Sequence, residues 1–165
     1  MLTYPNIDPV AVAVGPFEVH WYGLMYLIGF VGGWALGYLR SKYREGSGWR
    51  PAEMSDLLFY IALGIVLGGR IGYTLLYNFG GFIDDPVVIF RIWQGGMSYH
   101  GGMLGVLVAM WLYGRHTGRT FFQVTDFIAP LIPFGLAAGR LGNFINGELW
   151  GRPTDLPWGM VFPFV

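Results

Sequence analysis

The sequence contains no cysteine, which excludes disulfides, thiolate metal sites and a cysteine nucleophile of its own. It has one lysine, Lys42, among ten basic residues, so the other nine are arginines. Charged residues make up only 12% of the chain, against roughly a quarter in soluble domains, while 54% of residues are hydrophobic. The formal net charge is zero, so nothing favours nucleic acid as a partner. The composition therefore indicates a membrane protein.

Several familiar catalytic motifs are also missing: the sequence has no Walker loop, dinucleotide fingerprint, HExxH or GxSxG. Its three histidines, His20, His100 and His116, lie in separate segments without metal-ligand spacing, so we do not expect a metal site. Residues 1–16 contain no Lys or Arg and no long apolar run. They are therefore not a signal peptide, and we expect them on the membrane surface.

Apolar segments predict an all-α fold, a polytopic transmembrane bundle of about four spanning helices within one domain, residues 1–165. The predicted spans are residues 17–39, 57–79, 100–113 and 121–138. Pro130 and Pro133 are expected to kink the fourth span, which membrane helices tolerate when neighbours satisfy the freed carbonyls. Glycines spaced four apart, as at Gly64, Gly68 and Gly72, predict close contact between helices.

Basic residues set the predicted orientation. The loop at residues 40–53 carries four of them, and the positive-inside rule places it in the cytoplasm. The N-terminus then lies outside, and a re-entrant or interfacial segment at residues 139–151 lies at the outer face.

This segment, which we call the signature segment, places Arg140, Asn143 and Glu148 among glycines directly after an apolar span. If the helix continues, Arg140 and Asn143 are neighbours at i and i+3 and form a fork plus an amide, suited to a phosphate or carboxylate. Gly142 and Gly147 would let the backbone approach a ligand or the helix end. The alternative is an internal ion pair between Arg140 and Glu148 that holds a re-entrant loop.

Four further residues have two interpretations each. Arg70, within the second span and on one face with Tyr73 and Tyr77, either pairs with a carboxylate such as Asp126 or binds an anionic ligand. His100, at the expected start of the third helix, is either a general base or a solvated residue. His20 and Tyr22 either join an outer-face pocket or belong to the aromatic belt. Together these residues favour an anionic lipid head group as the guest, and a transporter for a small anion is the rival hypothesis.

The sequence resembles the prolipoprotein diacylglyceryl transferase family over essentially all 165 residues. The matching stretches are residues 20–26 (HWYGLMY), 68–73 (GGRIGY), 95–102 (GGMSYHGG), 126–130 (DFIAP) and 139–151 (GRLGNFINGELWG). The resemblance implies an enzyme of the bacterial cytoplasmic (inner) membrane with its site at the outer leaflet. Such an enzyme moves the diacylglyceryl group of phosphatidylglycerol to the lipobox cysteine of prolipoprotein signal peptides, the first step of lipoprotein maturation, without a metal or cofactor.

The resemblance also implies roles for individual residues. His100 matches the histidine proposed to help deprotonate the substrate thiol, and Arg140 would stabilise the phosphate of the leaving group. Tyr22 joins them as a catalytic candidate. The residues expected to bind substrate are Arg140, Asn143, Glu148, Gly151, Arg70, Asp126 and His20, with Arg70 and Asp126 as a supporting pair.

The chain departs from the family in length. Family members are considerably longer and have more spanning helices, so we expect residues 1–165 to be the N-terminal part of a longer fold. One hypothesis is therefore a transferase with a half-built site, and another is an inactive, truncated fragment.

Overall fold

The computed structural model describes residues 1–162 and is mainly helical. Four short strands are β1 (Leu2–Thr3), β2 (Val10–Val14), β3 (Phe17–His20) and β4 (Met160–Val161). The helices are α1 (Trp21–Tyr43), α2 (Glu53–Leu76), α3 (Phe79–Asp84), α4 (Tyr99–Thr117), α5 (Phe121–Ile128) and α6 (Ile132–Ile145). Short 3-10 turns cover Pro86–Phe90, Ile92–Gln94 and Ala129–Leu131. The predicted helical fold is confirmed.

The chain divides into two compact units. The first, which we call the signature unit, comprises Met1–Ala35 and Leu131–Val165, and the second, the central unit, comprises Leu36–Pro130. Helix α1 contributes to both. The single domain expected from the sequence stays a prediction, and the two units are described separately below.

Within residues 1–162, three helical segments are long and apolar enough to cross a membrane: Trp21–Tyr43, Glu53–Leu76 and Phe121–Ile145. The last of these combines α5, the 3-10 turn at Ala129–Leu131 and α6. The protein is therefore a membrane protein. The third predicted span does form a helix, α4, of 19 residues, but it is not among the three. Its four glycines and its polar end at Arg115 and His116 lower its hydropathy.

The opening residues form strands, which the sequence analysis did not predict. Strands β2 and β3 make an antiparallel hairpin, with Val14 opposite Phe17 and a register irregularity between Val10 and Val12. Because the backbone of Phe17–His20 is used in this ladder, α1 begins at Trp21 and not at residue 17. Strand β1 pairs in parallel with β4, joining Leu2 to Met160.

Glycines bring α2 and α4 together in the central unit, as their spacing predicts. A Cβ added at Gly105 would collide with the backbone of Gly64, and one at Gly101 would collide with that of Gly68. The backbones of the two antiparallel helices are therefore in direct contact, which side chains of any size would prevent. Gly33 has open space around its Cα, so the same spacing there marks no such contact.

The predicted proline kink takes the form of a break between two helices. Helix α5 begins with a capping box, in which Thr120 accepts from the Gln123 N–H and the Gln123 side chain accepts from the Thr120 N–H. The chain then tightens into the 3-10 turn that contains Pro130, and α6 starts with Pro133 in its first turn, where a missing N–H costs nothing.

Candidate functional site

The signature segment begins as a helix: α6 runs through Arg140 and Asn143 to Ile145, so the two are helical neighbours as predicted. The Arg140 side chain is exposed. Within residues 1–162 no hydrogen bond or ion pair engages its guanidinium, and none joins it to Glu148. The ion-pair alternative is therefore not what the structure contains, and all five Arg140 donors are available to a ligand.

Helix α6 ends in a Schellman motif that ties the candidate residues together. The Glu148 N–H donates to the Asn143 carbonyl at 2.8 Å, and the Gly147 N–H donates to the Phe144 carbonyl at 3.1 Å. Gly147 has φ +66°, the left-handed conformation that this motif requires and that glycine adopts without penalty. The role predicted for Gly147 at the helix end is thus confirmed, and Glu148 is fixed one turn from Asn143.

Tyr22 packs on the same helix end. A Cβ at Gly142 would lie 3.0 Å from the Tyr22 ring, so the glycine allows the ring to lie against the last turns of α6. The centroid of the Tyr22 ring also lies 5.2 Å from that of Tyr26. Tyr22, Arg140, Asn143 and Glu148 therefore all lie at the C-terminal end of α6, but Tyr22 packs on the Gly142 face, which points nearly opposite to the Arg140 face of the helix.

Two other predicted residues of this unit have fewer contacts. His20 ends strand β3, is exposed, and has its Nε2 3.9 Å from the Glu18 carboxylate. Gly151 is exposed with φ +96°, a conformation that disfavours any side chain. Their roles in substrate binding stay predictions.

Tyr4 is a residue of this site that the sequence analysis missed. Its hydroxyl lies 2.8 Å from the Phe144 carbonyl and 2.7 Å from the Ile145 carbonyl, both in the last turn of α6. Its ring also meets the Phe144 ring edge-on at 5.3 Å. Tyr4 therefore braces the end of α6, although no local pattern connects residues so distant in sequence.

Arg70, in the central unit, is 4% exposed and uses all five of its N–H donors on backbone carbonyls. Nε donates to Ile89 at 3.0 Å. The terminal nitrogens donate to the carbonyls of Gly95, Gly96, Val88 and Arg91. Arg70 thus organises the loop between α3 and α4. Its guanidinium lies 5.7 Å from the Tyr73 ring, which confirms the predicted shared face with Tyr73.

The predicted pair of Arg70 with Asp126 is wrong. Asp126 is exposed and lines a cavity with Arg119, whose partner Glu53 is the first residue of α2. Arg70 lies about 25 Å further along that helix, at 1.5 Å per residue. Because its donors are saturated, Arg70 has no free group for a ligand, and the structural interpretation is favoured over anion binding.

His100 lies where it was predicted, in the first turn of α4. The Ser98 side chain caps this helix by accepting from the Gly101 N–H at 3.1 Å. His100 is exposed, meets Tyr99 edge-on, and lines a mostly apolar groove of about 750 Å³ along α2 and α4. The geometry leaves its imidazole accessible, and its role as a base stays a prediction. Within residues 1–162 no group of three His, Asp or Glu residues could hold a metal ion.

The family to which the chain belongs follows from its similarity to known proteins. The family described as prolipoprotein diacylglyceryl transferase matches residues 9–165, nearly the whole sequence. The chain belongs to this family. All the predicted site residues, from His20 to Gly151, fall inside the matched range.

Individual relatives in the prolipoprotein diacylglyceryl transferase family carry the name phosphatidylglycerol–prolipoprotein diacylglyceryl transferase. The chain is 64% identical over 165 residues to one from Legionella pneumophila, covering 100% of this chain and 64% of the relative. It is 60% identical over 163 residues to one from Methylococcus capsulatus, covering 99% of this chain and 62% of the relative. For one from Pseudomonas aeruginosa the identity is 59% over 163 residues, covering 99% and 61%. The chain thus spans less than two thirds of the length of these relatives.

Proposed function

We propose that this chain carries the donor-binding half of a phosphatidylglycerol–prolipoprotein diacylglyceryl transferase site. The observation that carries the proposal is the helix end in the signature unit. There an exposed, unpartnered Arg140 stands one turn from Asn143, the Glu148 N–H donates to the Asn143 carbonyl, and Tyr22 packs on Gly142 of the same helix. An arginine without an internal partner at the end of a membrane span is suited to a phosphate group at the membrane surface.

The proposed reaction transfers a diacylglyceryl group from a phosphate ester oxygen to a cysteine sulfur. The thiol of the lipobox cysteine in a prolipoprotein signal peptide loses its proton, and the sulfur attacks the glyceryl carbon that carries the phosphate ester. The C–S bond of a thioether forms, the C–O bond to phosphate breaks, and glycerol 1-phosphate leaves. Negative charge accumulates on the phosphate, where Arg140 would stabilise it more strongly than in the starting diester.

His100 would take the thiol proton. A cysteine thiol is mostly protonated at neutral pH, so a neutral imidazole within reach of it raises the reactive thiolate fraction. Ser98 caps the first turn of α4, which holds the exposed His100 side chain at the start of that helix. Asn143 and Glu148 would orient the glycerol head group through hydrogen bonds, and Gly151 and His20 would complete the binding surface.

The proposal includes a location and an orientation. The loops with most basic residues would face the cytoplasm of a bacterium, and the helix end with Arg140 would face the outer leaflet of its inner membrane. Signal peptides emerging from the membrane would then meet phosphatidylglycerol at the same depth.

A reconstituted transfer assay tests the proposal. The chain is placed in vesicles containing phosphatidylglycerol, a peptide with a lipobox cysteine is added, and mass spectrometry detects the added diacylglyceryl group. Vesicles of phosphatidylcholine alone are the control for the donor. We expect modification only with phosphatidylglycerol, and a loss of about 10²–10⁴-fold in His100→Asn, the usual contribution of a general base.

Two outcomes would count against the proposal. Unchanged transfer in His100→Asn would remove His100 from the mechanism. Absence of transfer by this chain, in vesicles where the longer Legionella relative is active, would show that residues 1–165 hold too little of the site to catalyse it.

A further inference from the structure

A polar cavity lies in the central unit, and none of Tyr22, His100, Arg140 or Asn143 lines it. Among the described residues that were predicted to bind substrate, Asp126 alone lines this cavity. Its volume is about 480 Å³. The end of α1, the loop before α2, and the start of α5 surround it. Three arginines line this arginine cavity, and the only lining carboxylate is Asp126.

One of the three arginines is already neutralised. Arg119 makes a two-pronged ion pair with Glu53, at 2.8 and 3.0 Å, and also donates to the Gly48 carbonyl at 2.7 Å. Its guanidinium lies 4.0 Å from the centre of the Trp49 ring. Arg119 therefore builds the wall of the cavity and is not free for a ligand.

The other two arginines have no acidic partner within the described residues. Arg40 lies over the Phe127 ring at 5.4 Å, and its Nε is buried without a hydrogen-bond partner. A buried donor left unsatisfied costs free energy, and such groups are rare in native structures unless something binds there. Arg44 is exposed on the same side of the cavity. Two free cations against one carboxylate leave an excess of positive charge.

We propose that the arginine cavity binds a phosphate group, as a site separate from the one that holds the reacting lipid. Arginine forks match the geometry of phosphate oxygens, and the amide of Gln123, which also lines the cavity, offers further donors. Arg40 stands in the last turn of a membrane-spanning helix, where the head groups of anionic phospholipids lie. The phosphate would come from such a head group or from a soluble phosphate in the adjoining solution.

The lipid source is tested in nanodiscs of phosphatidylcholine that contain a small fraction of phosphatidic acid. Native mass spectrometry measures how much of each lipid the purified chain retains. We expect preferential retention of phosphatidic acid, and about tenfold weaker retention in Arg40→Gln and in Arg44→Gln, the effect of losing one hydrogen bond to a charged group. Lys42→Gln is the matched control. It removes one positive charge from the same helix end, but Lys42 does not line the cavity.

The opposite change in lipid retention is expected when the acidic residue of the cavity, Asp126, is replaced. Asp126→Asn removes the one carboxylate that repels a phosphate, so it should strengthen retention of phosphatidic acid about fivefold. This variant adds no bulk to an exposed position. If Arg40→Gln proves unstable, Arg44→Gln and Asp126→Asn, both at exposed positions, carry the test.

The soluble source is tested in detergent without phospholipid, by titrating inorganic phosphate and following tryptophan fluorescence. Trp49 lines the cavity and is the expected reporter, so Trp49→Phe should abolish the signal. Saturable binding that Arg44→Gln weakens and Lys42→Gln does not would support a soluble phosphate as the ligand. The proposal is overturned if Arg44→Gln and Lys42→Gln have equal effects in both experiments. It is also overturned if phosphatidic acid is retained no better than phosphatidylcholine and inorganic phosphate shows no saturable binding.

Discussion

Arg70 and Arg140 are both arginines within apolar helices, but the two regions around them treat the guanidinium in opposite ways. In the central unit, Arg70 is buried and gives every donor to a backbone carbonyl. In the signature unit, Arg140 is exposed and bonds to nothing in the described chain. The first region uses arginine to fold a loop, and the second leaves it ready for a ligand.

The two arginines therefore differ in the number of occupied donors, five in Arg70 and none in Arg140 within the described residues, and not in their location in an apolar helix. A saturated guanidinium can bind a phosphate only by abandoning carbonyls that then need other partners. Substitutions at the two positions should therefore produce opposite phenotypes: loss of folding in one case and loss of chemistry in the other.

The largest effect is expected for Arg70→Ala. The change removes the guanidinium that donates to five carbonyls between Val88 and Gly96, of which those of Val88 and Arg91 keep a backbone N–H donor, and we expect a loss of about 3–5 kcal/mol in the free energy of unfolding. Thermal unfolding in detergent, followed by circular dichroism, measures it. The control is Arg91→Ala, whose half-exposed ion pair with Asp85 at 2.8 Å should contribute no more than about 1 kcal/mol. Equal losses of stability in Arg70→Ala and Arg91→Ala would show that the buried hydrogen bonds of Arg70 stabilise the fold no more than an exposed ion pair does.

Arg140→Ala should give the reverse pattern. We expect the transfer rate to fall about 10²–10³-fold, the usual cost of removing one preorganised donor for developing charge, with no change in the unfolding temperature. The assay is the vesicle transfer reaction combined with the same unfolding measurement. Arg152→Ala, at an exposed position of the same unit, should leave the rate unchanged. If the Arg140→Ala protein is destabilised but keeps the normal transfer rate, Arg140 has a structural role like that of Arg70.

A smaller effect is expected where the helices of the central unit touch. Gly105→Ala puts a methyl group into the Gly64 carbonyl, so α2 and α4 must separate, at a cost of about 1–3 kcal/mol. Gly33→Ala is the control, because its Cβ meets nothing within 4 Å. Unfolding temperatures of the two variants give the answer, and a normal Gly105→Ala protein would contradict the direct backbone contact.

The smallest effect is expected for Tyr4→Phe. The change removes the hydroxyl that reaches the carbonyls of Phe144 and Ile145 but keeps the ring, so we expect a loss of about 1 kcal/mol. Tyr43→Phe, at a position 70% exposed, is the control. Because Tyr4 braces the helix end that carries Arg140 and Asn143, the transfer rate should fall with stability in Tyr4→Phe alone.

The sequence predicts those features that depend on spacing along one helix. It places Arg140 and Asn143 on one turn, His100 at a helix start, and a break at Pro130, because periodicity and proline chemistry act locally. The glycine spacing predicts a small-residue face but does not identify its partner: Gly64 meets Gly105, whereas Gly33 meets nothing.

The features that the sequence does not predict depend on contacts with backbone or with distant residues. The partners of Arg70 are carbonyls, which every residue possesses, so no pattern distinguishes them from the carboxylate of Asp126. Tyr4 reaches α6 across most of the chain. The β2–β3 hairpin did leave a local signal, the Gly15-Pro16 turn between two short apolar stretches, but the sequence analysis only placed these opening residues on the membrane surface.

The pairing of Leu2 with Met160 has a consequence for how the signature unit is made. These partners are separated by almost the whole described chain, so β1 can pair with β4 only after the ribosome has synthesised β4. Contacts of such high sequence separation form late, because closing a long loop costs entropy before any bond forms. The β1–β4 ladder of the signature unit would then form after α6, and nascent chains shorter than about 160 residues would be inserted in the membrane without this ladder.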